Sequence, residues 1–363
     1  MDTKSFLKQL VETESPSGDK AAVDRLGTLV AEQAQGMGAQ IEVIRNNDGT
    51  GDHILARWGA GREGILLLCH MDTVFPIGTL ERTPYREMDG KIFGPGVLDM
   101  KSGIAISLAA IADAVRIGGS KRPITLLCTS DEEIGSLSSQ TYIEKFARES
   151  ALVLVMESAM PDGALKTWRK GVGEFRVRVK GRAAHAGGDH EAGRNAIEEM
   201  AHQILAIQRL TNYSTGTTVN VGVIHGGTVS NVVPEHADIQ VDVRVMQAGE
   251  WEKLESRMKR LQTVLEGTSL KIAGGLNRPP MPFDMRMRKT FTKVQSIAAG
   301  IGMELKAGGT GGGSDANFVA PLGIPVMDGL GAVGEGHHSD REYILAESLE
   351  TRIRLLTEIL AKW

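Results

Sequence analysis

A chain of 363 residues exceeds the usual size of a single hydrophobic core, so one large domain plus a smaller one is the first expectation. Its 41 Lys and Arg against 45 Asp and Glu leave a formal net charge of -4, and aromatic residues make up 4%, which argues against a basic, stacking surface for nucleic acid. The two cysteines, Cys69 and Cys128, sit inside apolar runs; they are too few for a disulfide framework or a thiolate metal site and read as small buried hydrophobes in a reducing compartment.

Taken in chain order, the opening residues mix Asp2, Lys4, Lys8 and Glu12 with apolar positions, which is not the pattern of an export signal. No apolar run approaches membrane-spanning length, and a soluble, cytoplasmic protein with no membrane partner is expected. Three- and four-residue apolar spacing predicts helices over 2–11 and 19–35, the second capped within Ser17, Gly18 and Asp19. Strands are expected at 41–46, 53–58, 64–69, 124–129 and 151–156, with a helix over 102–117, an α/β pattern. From about Gly171 the texture changes to alternation, predicting one-face strands at 174–180 and 238–245 with helices over 191–210 and 250–266 among them. After Pro279 the α/β texture resumes, with a helix near 285–300, a glycine-rich turn at 308–313, a strand at 325–328 and a helix over 346–361. A smaller α+β module over 171–277 is thus inserted into a larger α/β domain made of 1–170 and 278–363.

Three apolar runs end abruptly in metal-ligand residue types: 64–69 in His70 and Asp72, 124–128 in Asp131, Glu132 and Glu133, and 151–156 in Glu157. Buried parallel sheets bind their ligands at the carboxyl ends of the strands, so these groups gather along one edge. Clustered carboxylates repel one another and resist ionisation, which a divalent cation relieves. Together with Asp99 and the pair His337 and His338, they form an imidazole and carboxylate set without thiolates, suited to zinc or a similar ion. Each residue alone could equally be a surface or capping group. The stretch 94–103 fails both phosphate-loop templates, because Met100 stands where a Walker loop needs glycine and Asp99 where the dinucleotide fingerprint does. Glu132 and Glu133 are adjacent and diverge, so one can bind metal while the other acts as a general base; an acid-rich helix amino terminus is the alternative.

The strings His70-Met71-Asp72-Thr73-Val74, Gly94-x-Gly96-x-x-Asp99-Met100-Lys101-x-Gly103, Asp131-Glu132-Glu133-x-Gly135-Ser136, Gly181-x-x-x-His185-Ala186-Gly187 and His338-x-x-x-Glu342-Tyr343 resemble the aminoacylase-type dizinc metallopeptidases over essentially the whole chain. The branch it resembles most is the glutamate carboxypeptidases, through the segments 311–315 and 229–234. The resemblance implies a zinc-exopeptidase-like catalytic domain with a mixed, mostly parallel sheet between helices, and an inserted lid and dimerisation domain. It implies two Zn2+ per subunit, with Co2+ or Mn2+ as possible substitutes: His70, Asp99 and Glu157 hold one, and Asp99, Glu133 and His338 the other. Asp72 then supports the imidazole of His70, and Glu132 is the general base. His185 would cross from the partner of a homodimer to the developing oxyanion. Asn231, Arg278, Gly312 and Gly313 match the capture of a substrate carboxylate, with Arg244 a further candidate that also suits a structural or dimer contact. A helix beginning at Ala316 would add an amino end favourable to an anion. The expected reaction is hydrolysis of an amide bond next to a free terminal carboxylate in a small-molecule or short-peptide substrate. Alternatives on the same metals are an N-acyl amino acid deacylase or a small-peptide aminopeptidase, and, from another class, a non-catalytic metal-binding homologue.

Overall fold

The computed structural model describes residues 2–116 and 120–363. Two compact units emerge, one of Met1–Trp168, Phe283–Thr310 and Ser314–Trp363, the other of Arg169–Pro282 and Gly311–Gly313.

The first unit is built on an eight-stranded mixed sheet in the order Gln40–Ile44, His53–Trp58, Ile124–Thr129, Gly64–His70, Ser150–Val155, Val326–Asp328, Leu165–Arg169, Ala307–Thr310. Its four central strands run parallel. Antiparallel pairings join His53–Trp58 and Leu165–Arg169 on either side. The apolar runs read from the sequence form this centre because they are covered on both faces: Leu66, Leu67 and Leu68 are all buried, each contributing about 1.5–3 kcal/mol. Helix Ser102–Arg116 is apolar around most of its circumference and packs against Ala346–Lys362 and Thr3–Glu12. Position 117 of the helix expected over 102–117 lies outside the described residues. At its start, a Cβ on Gly103 would lie 2.2 Å from the Met156 carbonyl oxygen, so glycine is what lets the helix abut the strand end that carries Glu157. Asp2 and Asp19 cap the first two helices by accepting from the N–H groups of Lys4 and Ala22. A small sheet of Gly334–Glu335, Tyr343–Leu345, Lys91–Phe93 and Arg86–Met88 brings the chain just before Tyr343 beside the loop that follows Phe93. Among the described residues no helix is long and apolar enough to cross a membrane.

In the second unit a four-stranded antiparallel sheet, ordered Thr218–Gly226, His236–Val245, Gly171–Lys180, Ser269–Arg278, packs with helices Ala196–Gln208 and Ala248–Lys259 over a core containing Phe175, Ile239, Val241, Met200 and Trp251. Phe175 and Trp251 stack with centroids 5.5 Å apart. Both helices are shorter than the sequence spacing predicts. The first begins only after Asn195, whose side chain caps the N–H groups of Ile197 and Glu198. The second stops at Lys259 because the N–H groups of Val264 and Leu265 turn to the buried carboxylate of Glu199 instead of continuing the helix. Half of the glycine-rich turn expected at 308–313 is strand, Ala307–Thr310.

Fully buried His53 ties the sheet to the turn before Glu132. The Asn46 amide donates to its Nε2 at 3.1 Å, leaving Nδ1–H to donate to Ser130 Oγ at 3.0 Å, and Ser130 in turn donates to the Gly51 carbonyl. Burial depresses the His53 pKa below the ordinary 6.5, against the pull of the Asp131 and Asp72 carboxylates. The unfolded chain therefore takes up this proton first, and the stability contributed by neutral His53 is full above pH 6.5 and lost as pH falls through its folded value. Urea unfolding at pH 7.5 and pH 5 should show a larger loss for the parent protein than for His53→Gln; equal losses would refute the assignment.

Candidate metal centre

His70 ends the central strand Gly64–His70, level with Thr129 of the neighbouring strand, and Glu157 lies two residues beyond Ser150–Val155. Glu132 and Glu133 occupy a single 3-10 turn after Ile124–Thr129, not the longer acid-rich helix that could have explained them. Asp99 lies in the loop before helix Ser102–Arg116, and His338 in the loop before Tyr343–Leu345, with its backbone in the left-handed region at φ 57°.

These side chains converge. His70 Nε2 stands 3.1 Å from Asp99 Oδ1 and 3.5 Å from Glu157 Oε1, while His338 Nε2 stands 3.3 Å from Asp99 Oδ2 and 3.2 Å from Glu133 Oε2. The two oxygens of one carboxylate thus face two separate imidazole and carboxylate pairs. Zinc bonds to N and O of about 2.0–2.1 Å imply tetrahedral ligand edges of about 3.3–3.4 Å, so the observed separations fit a cation on each side of Asp99. The residues present therefore suit a dinuclear N/O site.

Electrostatics follow from the crowding. Burial opposes a charge on His70, yet hydrogen bonding to Asp72, Asp99 and Glu157 holds its pKa well above the ordinary value. For Asp99 burial is again outweighed, by His338 and His70, and its pKa falls well below the carboxylate range. His338, bonded to Asp99 and Glu133, is raised to about 10, whereas burial raises Glu133 despite its His338 partner. The shifts of His70, Asp99 and His338 follow from imidazole and carboxylate atoms held close together.

Two further carboxylates organise the centre from behind. Asp72 approaches His70 Nδ1 at 3.4 Å, alongside its own carbonyl oxygen at 3.0 Å. It also accepts from the N–H groups of Glu132 and Glu133 at 3.2 and 3.1 Å and from Ser17 Oγ–H at 2.7 Å. Sequence reasoning assigned it to His70 alone, and its grip on the Glu132 backbone has no signature in side-chain type. Glu342, 2% exposed, accepts from the N–H groups of Gly96, Leu98 and Asp99. Burial raises its pKa to about 7. His337 turns elsewhere, its Nε2 2.8 Å from Ser158 Oγ, which also accepts from Lys166 Nζ.

The residues expected to bind a carboxylate lie in the second unit. Arg278 is buried, and Gly313 packs so closely on it that a Cβ there would lie 2.8 Å from Arg278 Cδ. Arg169 Nη1 donates to the carbonyls of Gly312 and Gly313, which groups this glycine turn with the second unit. Arg244 is forked by Asp242 through three hydrogen bonds of 2.8–3.0 Å. His185 is exposed, its Nδ1 accepting from the N–H groups of Gly187 and Gly188, and the Asn231 carbonyl anchors Ala186 N–H beside it. In the first unit, the helix expected at Ala316 is a single turn, Ala316–Val319. It offers no anion site of the kind anticipated, since Ser314 N–H goes to Asn317 and Ala316 N–H to Ser314 Oγ.

A sequence model of peptidase family M20/M25/M40 matches residues 66–362, and the chain belongs to this family of metal-dependent peptidases. It is 29% identical over 370 residues to carboxypeptidase G2 of Pseudomonas sp. (strain RS-16), covering 98% of this chain and 87% of that protein. Among solved structures, the M20 family metallo-carboxypeptidase Sso-CP2 from Sulfolobus solfataricus aligns with a TM-score of 0.81 at 16% identity, covering 99% of each chain. The aminopeptidase PepT from Bacillus cereus ATCC 10987 aligns with a TM-score of 0.80 at 22% identity, covering 99% of this chain and 97% of that one. Both share the mixed α/β fold.

Proposed function

We propose that this metallopeptidase removes a carboxyl-terminal amino acid, in the manner of a glutamate carboxypeptidase, with Asp99 shared between two zinc ions. His70 and Glu157 would complete one ligand set, Glu133 and His338 the other. The observation that carries this reading is the division of Asp99, one oxygen toward His70 and the other toward His338. When bound, the two cations supply Lewis acidity, polarising the scissile carbonyl and making water a stronger acid.

The chain's own residues do the rest. Glu132, its backbone held on Asp72, takes the proton from the attacking water and returns it to the leaving amine. Asp72 keeps the proton of His70 on Nδ1, so that Nε2 presents its lone pair toward Asp99 and Glu157. Arg278, with Asn231 and the amides of Gly312 and Gly313, receives the terminal carboxylate, and buried Arg278 is the natural anchor because a guanidinium fork matches a carboxylate. Arg244, held by Asp242, is a further candidate for the same carboxylate. His185 donates to the oxyanion from the partner of a homodimer, a reading supported by the edge strand Thr218–Gly226, which leaves Ile224 exposed. The 29% identity to carboxypeptidase G2 supports this choice of end.

The test is a panel of N-acyl glutamates, other N-acyl amino acids and small peptides with the zinc-loaded protein, each with its terminal carboxylate free or amidated. Amidation should lower kcat/KM about 10–100-fold, the worth of a charge-assisted pair. Indifference to amidation together with a requirement for a free amine would replace this reading with an aminopeptidase.

A further inference from the structure

We infer that Glu342 is a positioning residue for the metal centre, acting as a carboxylate staple that sets the backbone of Asp99; the inference rests on the reading of Asp99 as a shared ligand. One oxygen of Glu342 accepts from Leu98 N–H at 2.7 Å and Asp99 N–H at 2.9 Å, and the other from Gly96 N–H at 3.0 Å. Three donors converge on one buried carboxylate, a more specific arrangement than packing requires. The opposite wall of the loop is equally tight: Gly96 has φ 71°, and a Cβ there would come within 2.7 Å of Thr73 Cγ2. The loop is thus gripped between Glu342 and Thr73.

Glu342 also reaches the other ligand. Its N–H bonds the Ser339 carbonyl and Ser339 N–H bonds the Gly336 carbonyl, closing the turn that carries His338. Asp99 and His338, which face each other at 3.3 Å, are therefore tied by one short stretch of chain as well as by their own contact. Movement of either is resisted by Glu342 through these backbone hydrogen bonds.

Cobalt titration of the parent protein, Glu342→Gln and Glu342→Asp tests this. In Glu342→Gln the amide nitrogen opposes at least one backbone donor, so the loop must shift. Affinity for the second cobalt equivalent should fall about 10–100-fold, as for other supports behind a ligand, and the visible d–d spectrum should change. At saturating cobalt, kcat should fall with KM little altered. Glu342→Asp, one methylene shorter, should lie between, and it provides the comparison if the glutamine variant does not fold. Unchanged affinity and spectrum in a folded variant would overturn the inference, even if the melting temperature dropped. Failure of the parent protein to bind two equivalents would remove the shared-ligand reading itself.

Discussion

Replacing Glu132 by glutamine should lower kcat about 10²–10⁴-fold, the usual contribution of a positioned general base, while both metal equivalents remain. The ion pairs from His70 and His338 run to Asp99, Glu157 and Glu133, so removing the Glu132 charge deletes no member of either proposed ligand set. Its backbone N–H, resting on Asp72, is untouched by the substitution, and the amide fills the same volume. Elemental analysis of the dialysed variant, with kcat at saturating substrate, separates loss of the base from loss of the metals. A variant within a few-fold of the parent rate would show that Glu132 is not the base.

Asp99→Ala should lose both ions at once. Its oxygens face the two imidazoles separately, so deletion leaves only His70 with Glu157 on one side and His338 with Glu133 on the other. Hydrolysis should fall about 10³-fold or more with the loss of Lewis acidity. His338→Ala is the informative contrast, since it should cost one equivalent and leave His70, Asp99 and Glu157 together. A second readout is thermal: zinc should raise the melting temperature of the parent protein, as any ligand confined to the folded state does, and should leave that of Asp99→Ala unmoved. Two equivalents retained by Asp99→Ala would refute the shared carboxylate.

Much of this centre was legible in the sequence because a buried parallel strand announces itself and then stops at its ligand. The strands His53–Trp58 and Ile124–Thr129 coincide with the apolar runs that predicted them, His70 closes its strand, and Glu133 and Glu157 fall just beyond strand ends. Edge strands were the harder case. Thr218–Gly226 and Ser269–Arg278 bury few side chains and carry several glycines, so the alternation that marks their central neighbours is faint. Asp72 toward Glu132, and Glu342 toward Asp99, work by accepting backbone N–H groups, which every residue but proline provides, so no pattern of side chains encodes the pairing. The premature end of the helix at Lys259 belongs to the same class, since Glu199 competes from another element for amides the local periodicity had assigned to the helix.

The parallel pairing of Val326–Asp328 with Ser150–Val155 has a kinetic consequence. The whole inserted unit is synthesised between these partners, so the central sheet cannot be completed until Val326–Asp328 has left the ribosome. Closing so long a loop adds little to the equilibrium cost, about 0.6 kcal/mol for each doubling of length, but distant pairings of this kind slow the search for the native topology. His338 arrives later still. Until residue 338 has emerged, the nascent polypeptide carries His70, Asp99, Glu133 and Glu157 without His338, so the proposed dinuclear site cannot be assembled before then.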